Sequence, residues 1–367
     1  MSRAWLLFVV GTLSAAACAA SDSLPPTQDA AGAGGGPIAT AGAGGMGASP
    51  IQAGGGGRGG GGIMLGGSGG GAVELDSLIY AHTDEELFEL NAKTEDLALK
   101  SVGKFDCIGQ GTGDDVSMTD LAVDRERHIW GVSAAYVYRI EIDNGVAHCA
   151  EKIKLKKPSE DVRYYGLTFA PVGVLDPDKE VLVAGNTAGE LWAVSEDGSV
   201  KMVGTFGNVP KNDGNGHAYD SKHQGKSWEL SGDIVFLANE GSPLGYATVR
   251  DCPDPPKTTG CNATNTLIEI DVKKMGTTKP GSVTKSVRGQ IVERAGCKTP
   301  AFKDFGNMFG IAAWDDKVYG FSRSGNLVDI NVSDGSGCVV KAYPPADFAF
   351  AGAGVTTLAP VLPPPPK

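Results

Sequence analysis

Several signatures of catalysis and nucleic-acid binding are missing from this sequence. Histidine occurs five times in 367 residues, and none of the five stands in a recognisable triad context. There is no G-x-S-x-G elbow, so nucleophilic catalysis has no foothold. No G-K-[ST] loop is present to cradle phosphates. C-x-x-C is absent, which withdraws support from a zinc or thioredoxin-type redox site. Basic clusters are missing as well: 32 Lys and Arg stand against 43 Asp and Glu, a formal net charge of −11. Bulk electrostatics therefore disfavours nucleic acid and anionic lipid. The most basic stretch, KIKLKK (Lys152–Lys157), alternates like the solvated face of an edge strand. Helical periodicity is almost absent after Gly71.

The one long apolar run lies at the start. Arg3 is a positive n-region, and AWLLFVVGTLSAAA (Ala4–Ala17) is too short to span a bilayer comfortably. Small residues and Cys18 follow. This order resembles a bacterial lipoprotein signal, in which the Cys is lipidated and becomes the first mature residue, although Ala15 stands where that family prefers Leu. The resemblance implies a signal peptide over 1–17, a lipid anchor on Cys18 and, with Ala19 rather than Asp next, the outer membrane or cell surface of a Gram-negative bacterium. The alternative is ordinary cleavage after an A-x-A site, giving a periplasmic or secreted protein.

Residues 18–72 read as a disordered tether. The 54 glycines are unevenly spread and crowd into Ala31–Gly71, where they make up about half of the residues. GAGGMG (Gly42–Gly47) matches the dinucleotide fingerprint formally, but glycine on both sides replaces the strand and helix that fingerprint needs. Glycine loses the most entropy on ordering, so the tract stays flexible. A linker of about 40 residues reaches roughly 35 Å.

Short alternating runs then recur in units of four. MTDLAVD, HIWGVS, YVYRIEID and VAHCAEKI form one unit, and GLTFAPV, EVLVAGN, ELWAVSED and SVKMVGTF the next. SGDIVFLA, LGYATVR, TLIEIDV and SVRGQIVE form a third, and GIAAWDD, KVYGFS, NLVDINVSDG and CVVKAYP a fourth. Phe169 follows Val123 by 46 residues and Leu358 follows Trp314 by 44, the period of a propeller blade. The front unit (LIYAHT, ELFELNAKT, LALKSVGKF) lacks its first part, and GVTTLAP (Gly354–Pro360) is a first part with nothing after it. The fold class is all-β: a five-bladed β-propeller over 73–361, closed by the C-terminal strand completing the first blade, with a Pro-rich tail over 362–367. Asp-Gly and Asn-Gly at SEDGS, IDNG and SDGSG supply the hairpin turns between third and fourth strands. Over Leu75–Pro360 this pattern resembles secreted bacterial propellers with WD40-like or quinoprotein-like blades. No family-specific site motif carries over.

Without Cys18, six cysteines remain, an even number that suits disulfides in an exported chain. Cys107 and Cys297 follow fourth strands, and Cys149 and Cys338 lie in the fourth strands of the next blades, 42 and 41 residues on. The expected bridges are Cys107–Cys149, Cys297–Cys338 and, closing DCPDPPKTTGC, Cys252–Cys261.

Propellers bind ligands on loops entering the innermost strands. Those loops supply the candidate ligand-binding residues Asp115, Asp120, Tyr164, Tyr165, Trp228, Glu229, Asp233 and Asn307, with Asp114 and Arg163 beside them. Aromatics next to carboxylates suit sugars, peptides or a cation. The alternative for each residue is core packing or turn capping. The insert Gly207–Trp228 carries His217, His223, Asp213 and Asp220, but His217 and His223 match no compact metal motif and a solvated loop is expected. No metal or cofactor is implied, and a cation in the channel stays open. The expected function is a monomeric, non-enzymatic binding module for an envelope protein or glycan. Its rival is an envelope hydrolase or lyase acting on a glycan, with Asp120, Asp233 or Glu229 as acid/base.

Overall fold

The computed structural model describes residues 78–109, 115–159, 162–297, 305–315, 317–344 and 348–360. The signal peptide, Cys18, the tether, Asp114 and the 362–367 tail lie outside them. Twenty strands form five four-stranded antiparallel sheets. In sequence order the blades are β1 (Leu78–His82), β2 (Glu86–Asn91) and β3 (Leu99–Lys104) with β20 (Gly352–Gly354); β4 (Asp120–Val123), β5 (Ile129–Val132), β6 (Tyr136–Asp143) and β7 (Val146–Lys154); β8 (Tyr164–Ala170), β9 (Val181–Asn186), β10 (Glu190–Val194) and β11 (Val200–Thr205); β12 (Glu229–Leu237), β13 (Leu244–Arg250), β14 (Thr266–Ile270) and β15 (Thr284–Gln290); and β16 (Met308–Trp314), β17 (Lys317–Ser322), β18 (Asn326–Ile330) and β19 (Gly337–Ala342). Only two three-residue 3-10 turns interrupt this all-β arrangement among the described residues.

The innermost strands are β4 (Asp120–Val123), β8 (Tyr164–Ala170), β12 (Glu229–Leu237), β16 (Met308–Trp314) and β20 (Gly352–Gly354). Five strands converging on one axis leave little room, and small residues stand where they meet: Gly166 on β8, Gly232 on β12, Gly310 on β16 and Gly-Ala-Gly on β20. A Cβ on Gly232 would lie 1.7 Å from the Met308 carbonyl oxygen of the neighbouring blade. Between the blades, alternate side chains of facing sheets form continuous apolar layers. One layer holds Trp228, Phe206 and Phe236, and another Phe321, Phe350 and Met308. Burial of such side chains contributes about 1.5–3 kcal/mol each.

The closing strand is shifted relative to the sequence expectation. β20 spans Gly352–Gly354 and pairs with β1 (Leu78–His82) through Ala353↔Ala81 and Gly352↔His82. Val355–Pro360 leaves the ladder. Thr356 makes a parallel bridge to Val123 and its hydroxyl donates to the Asp124 carbonyl oxygen at 3.0 Å. The Ala238 amide then donates to Thr357 O, and the Asp315 amide to Pro360 O. The segment is thus a strap across the ends where the inner strands of blades two, four and five exit. Val355, Thr356 and Thr357 of VTTL are buried within this strap, while Leu358 is exposed.

A second seam runs round the outer edge. At or just after the end of four of the five outermost strands, the chain makes one parallel bridge to the next blade: Phe105↔Ala147, Lys156↔Ser199, Thr205↔Ser282 and Glu293↔Gly337. Disulfides Cys107–Cys149 and Cys297–Cys338 reinforce the first and last of these seams, and Cys252–Cys261 closes the β13–β14 loop, the three pairings expected. KIKLKK begins on β7 (Val146–Lys154), the outermost strand of its blade, with Lys152, Lys154 and Lys156 exposed and Lys157 half-buried.

The insert Gly207–Trp228 departs from a freely solvated loop. Asp213 accepts the amides of Asn215 and His217 and, at 3.3 Å, that of Gln290 on β15 (Thr284–Gln290). His223 is buried against Asp251 at 2.7 Å. Tyr219 packs edge-on to Trp228 with ring centroids 5.2 Å apart. The two histidines serve different carboxylates and do not converge on one point.

Candidate functional site

The residues predicted at the entry end of the inner strands separate into three groups. Asp115 is buried and caps a turn, accepting from the Ser133 hydroxyl and the Ala135 amide. Tyr164 and Trp228 are core side chains, 0% and 1% exposed, and Tyr165 packs beside Trp228's cluster. Glu229 is fully buried, accepts from Arg250 at 2.9 Å and stands against the Cys252–Cys261 disulfide. Burial raises its pKa, and Arg250 offsets part of the rise. None of these buried side chains is placed to touch a ligand at the mouth. Asn307 is the exception: it helps to line an entry-side cleft of about 350 Å³ with Asn262, Ser324 and Asn326.

Asp120 and Asp233 form the third group, on the axis. Each carboxylate ties its own inner strand to the next blade: Asp120 Oδ2 accepts the Leu167 amide at 2.5 Å, and Asp233 Oδ2 the Ile311 amide at 2.9 Å. Both side chains are fully buried. Burial and the facing charge of Asp233 push Asp120 well above the usual carboxylate range. Burial raises Asp233 to about 7, with a hydrogen bond from Asp120 working the other way. Asp120 and Asp233 are thus a buried pair with raised proton affinity, not two acids facing substrate across an open mouth. His82 lies beside it, fully buried, and burial lowers its pKa to about 4, so the ring is neutral.

The larger cleft opens on the opposite, exit-side face, between blades two and three, with a volume of about 760 Å³. Its floor is Trp130, Phe169, Val137, Ile153, Leu182 and Val194. Trp130 and Phe169 meet edge to face at 6.3 Å. The Trp130 indole N–H donates to Asp124 at 3.2 Å, which fixes the ring's orientation. Three turns build the rim: Asp124–Glu126 after β4, Asp176–Glu180 between β8 and β9 (Val181–Asn186), and Ser195–Asp197 between β10 (Glu190–Val194) and β11 (Val200–Thr205). They carry seven carboxylates against two cations. Both cations are already engaged, Lys179 with Glu196 at 2.8 Å and Arg125 with Glu126 at 3.7 Å. Glu180 touches the strap through the Thr357 hydroxyl, and burial raises its pKa. Sequence reasoning missed this cleft. The available signal was the clustering of acids in DRE, DPDKE and SED, three exit-side turns of adjacent blades.

No family model and no curated protein matches this chain. Among solved structures, a structural genomics protein of unknown function from Bacteroides thetaiotaomicron VPI-5482 is 10% identical, with a TM-score of 0.36 over 70% of this chain and 55% of that one. BBS1N in complex with ARL6DN, soaked with lead, is 10% identical at a TM-score of 0.30, over 71% of this chain and 64% of that one. The same complex soaked with mercury is 9% identical at 0.28, over 67% and 55%. The chain therefore spans 55–64% of the length of these solved chains. At these scores the likeness adds nothing to the fold assignment, which rests on blade order and closure.

Proposed function

We propose that this chain is an exported cell-envelope protein whose propeller is a binding module, and that the cleft between blades two and three takes a Lys- or Arg-bearing segment of a partner protein. One observation carries the reading: an aromatic floor is ringed by seven carboxylates, and the three neighbouring cations, Arg125, Lys179 and Lys156, are already paired with Glu126, Glu196 and Asp197, leaving the acids in excess. An aromatic and aliphatic floor accepts the methylene stem of a long cationic side chain, and the rim receives its charged head. A rim of one sign also steers an oppositely charged partner and sets specificity more than raw affinity. The signal-like N-terminus and three disulfides support an oxidising compartment outside the cytoplasm. For the hydrolase alternative, the three named acids Asp120, Asp233 and Glu229 are each 0% exposed, which leaves them out of reach of a glycan.

The test is an array of cationic, neutral and acidic peptides alongside neutral glycans, probed with the wild-type propeller and with Trp130→Ala. Retention of cationic peptides, weakened at least tenfold by Trp130→Ala, is the expected result. Retention of neutral glycans alone, or of cationic peptides equally by both proteins, overturns the cleft assignment.

A further inference from the structure

The entry-side cleft that holds Asn307 differs in chemistry from the exit-side one. Its volume is about 350 Å³, and Arg250 is the only charged side chain among its described lining residues. Neutral polar side chains complete it: Thr258 and Asn262 on the β13–β14 loop, and Asn307, Ser324 and Asn326 from blade five. A cleft of this size suits a small molecule rather than a bare ion, and a polar lining favours a hydrophilic one.

Arg250 is aimed by its pairing. It ends β13 and stands directly opposite Glu229 in the β12–β13 ladder. Nη2 donates to Glu229 Oε1 at 2.9 Å, which uses one of the five N–H donors of a guanidinium. Among the described residues Glu229 is its only hydrogen-bonding partner, and the buried Nε has none. A guanidinium with spare donors recognises a carboxylate as a planar fork. Glu229 already offsets part of the charge, so a monoanion matches this site better than a dianionic phosphate.

Both walls are held in place. Disulfide Cys252–Cys261 closes the loop that carries Thr258. Just beyond it, Asn262 Oδ1 accepts the Thr264 amide at 3.1 Å, and its own NH2 makes no hydrogen bond to a described residue. Opposite, the Asn307 carbonyl accepts the Arg323 amide at 3.1 Å, and the next amide, of Met308, donates to Asn265 Oδ1 at 2.8 Å. The Asn307 backbone is left-handed, with φ of 56°, a conformation Asn adopts more readily than most residues. Its side chain is exposed and points of attachment on it are unused within the described chain. Amides and hydroxyls of this kind both donate and accept, as sugar hydroxyls do.

We propose that the entry-side cleft binds a sugar acid, with Arg250 taking the carboxylate and Thr258, Asn262 and Asn307 taking ring hydroxyls. The guanidinium alone would accept any carboxylate; the neutral polar walls narrow the class to one rich in hydroxyls. The site lies on the opposite face from the Trp130 cleft and does not rest on the reading given to that cleft.

The experiment is isothermal titration of the purified protein, disulfides intact. The probes are D-galacturonate and D-glucuronate, their neutral counterparts D-galactose and D-glucose, and cyclohexanecarboxylate, which has the charge without the hydroxyls. The expected result is saturable binding of a uronate, roughly tenfold or more tighter than that of its neutral hexose and of cyclohexanecarboxylate. Arg250→Lys keeps a cation beside Glu229 but removes the fork, and is expected to weaken uronate binding about tenfold. Asn307→Ala removes one exposed amide and is expected to weaken it about threefold. Trigalacturonate distinguishes the sources: tighter binding than the monomer supports the site with a polymer terminus as ligand, and weaker binding supports it with a free sugar acid. Failure of both uronates to bind overturns the proposal, as does a neutral hexose or cyclohexanecarboxylate bound as tightly as the uronate. Uronate binding unchanged in both variants overturns it too, because the ligand then sits elsewhere. If Arg250→Lys does not fold, Asn307→Ala and the ligand series decide the question.

Discussion

Ala81 and Ala353 face each other in an antiparallel ladder, so the first described strand is completed by the last. Closure of this kind removes the free edges on which open sheets aggregate. Truncation after Ala351 deletes β20 and the strap together. It is expected to lower Tm sharply and to replace one cooperative transition by a broad one in calorimetry. A truncated protein with an unchanged transition contradicts the closure.

The disulfides differ in the loops they close. Cys107–Cys149 spans 42 residues and Cys252–Cys261 nine. On the chain-entropy account these closures are worth about 4 and about 2.5 kcal/mol. Paired Cys→Ser replacements compared by denaturant midpoint are expected to fall in that order. A larger loss at Cys252–Cys261 indicates that its contact with buried Glu229 outweighs loop entropy.

Acidity acts on the axial pair. The folded state holds protons on Asp120 and Asp233 that the unfolded chain, with Asp near 3.9, releases. Both pKa values are raised, that of Asp233 to about 7. The unfolded state therefore binds fewer protons, and this contribution to stability is full below about pH 4 and is lost as pH rises through about 7. Urea midpoints at pH 5 and pH 8 are expected to fall more for wild type than for Asp233→Asn, which cannot ionise at that position. Equal falls contradict a raised proton affinity at Asp233.

Cys18 decides the address. Intact mass of the membrane-fraction protein is expected to show a diacylglyceryl group on a chain beginning at Cys18, with three disulfides. A soluble chain cut near Ala17 or Ala20 instead makes the protein periplasmic or secreted.

Blade number, closure and disulfide pairing were legible because each is written locally: period-two runs, Asp-Gly turns, and cysteines at matched places in successive blades. The register of the last strand was not. β20 is Gly-Ala-Gly, with no side-chain pattern to read, while the strap that follows has the composition of a strand. The fate of Asp120, Asp233, Tyr164 and Trp228 depends on how tightly five inner strands converge. Asp120 and Asp233 tolerate full burial because another blade supplies each a backbone donor, Leu167 and Ile311. Such partners lie far off in sequence. The exit-side cleft is assembled from turns of two blades, and each turn taken alone reads as ordinary turn chemistry.

The cleft assignment is tested most directly by isothermal titration of the purified propeller with a Lys-rich peptide at two salt concentrations, using wild type, Asp178→Lys and Glu126→Lys. The account predicts saturable binding that weakens as salt rises and falls at least tenfold when either rim charge is reversed. Binding unaffected by both reversals, or no binding of the peptide at low salt, contradicts it.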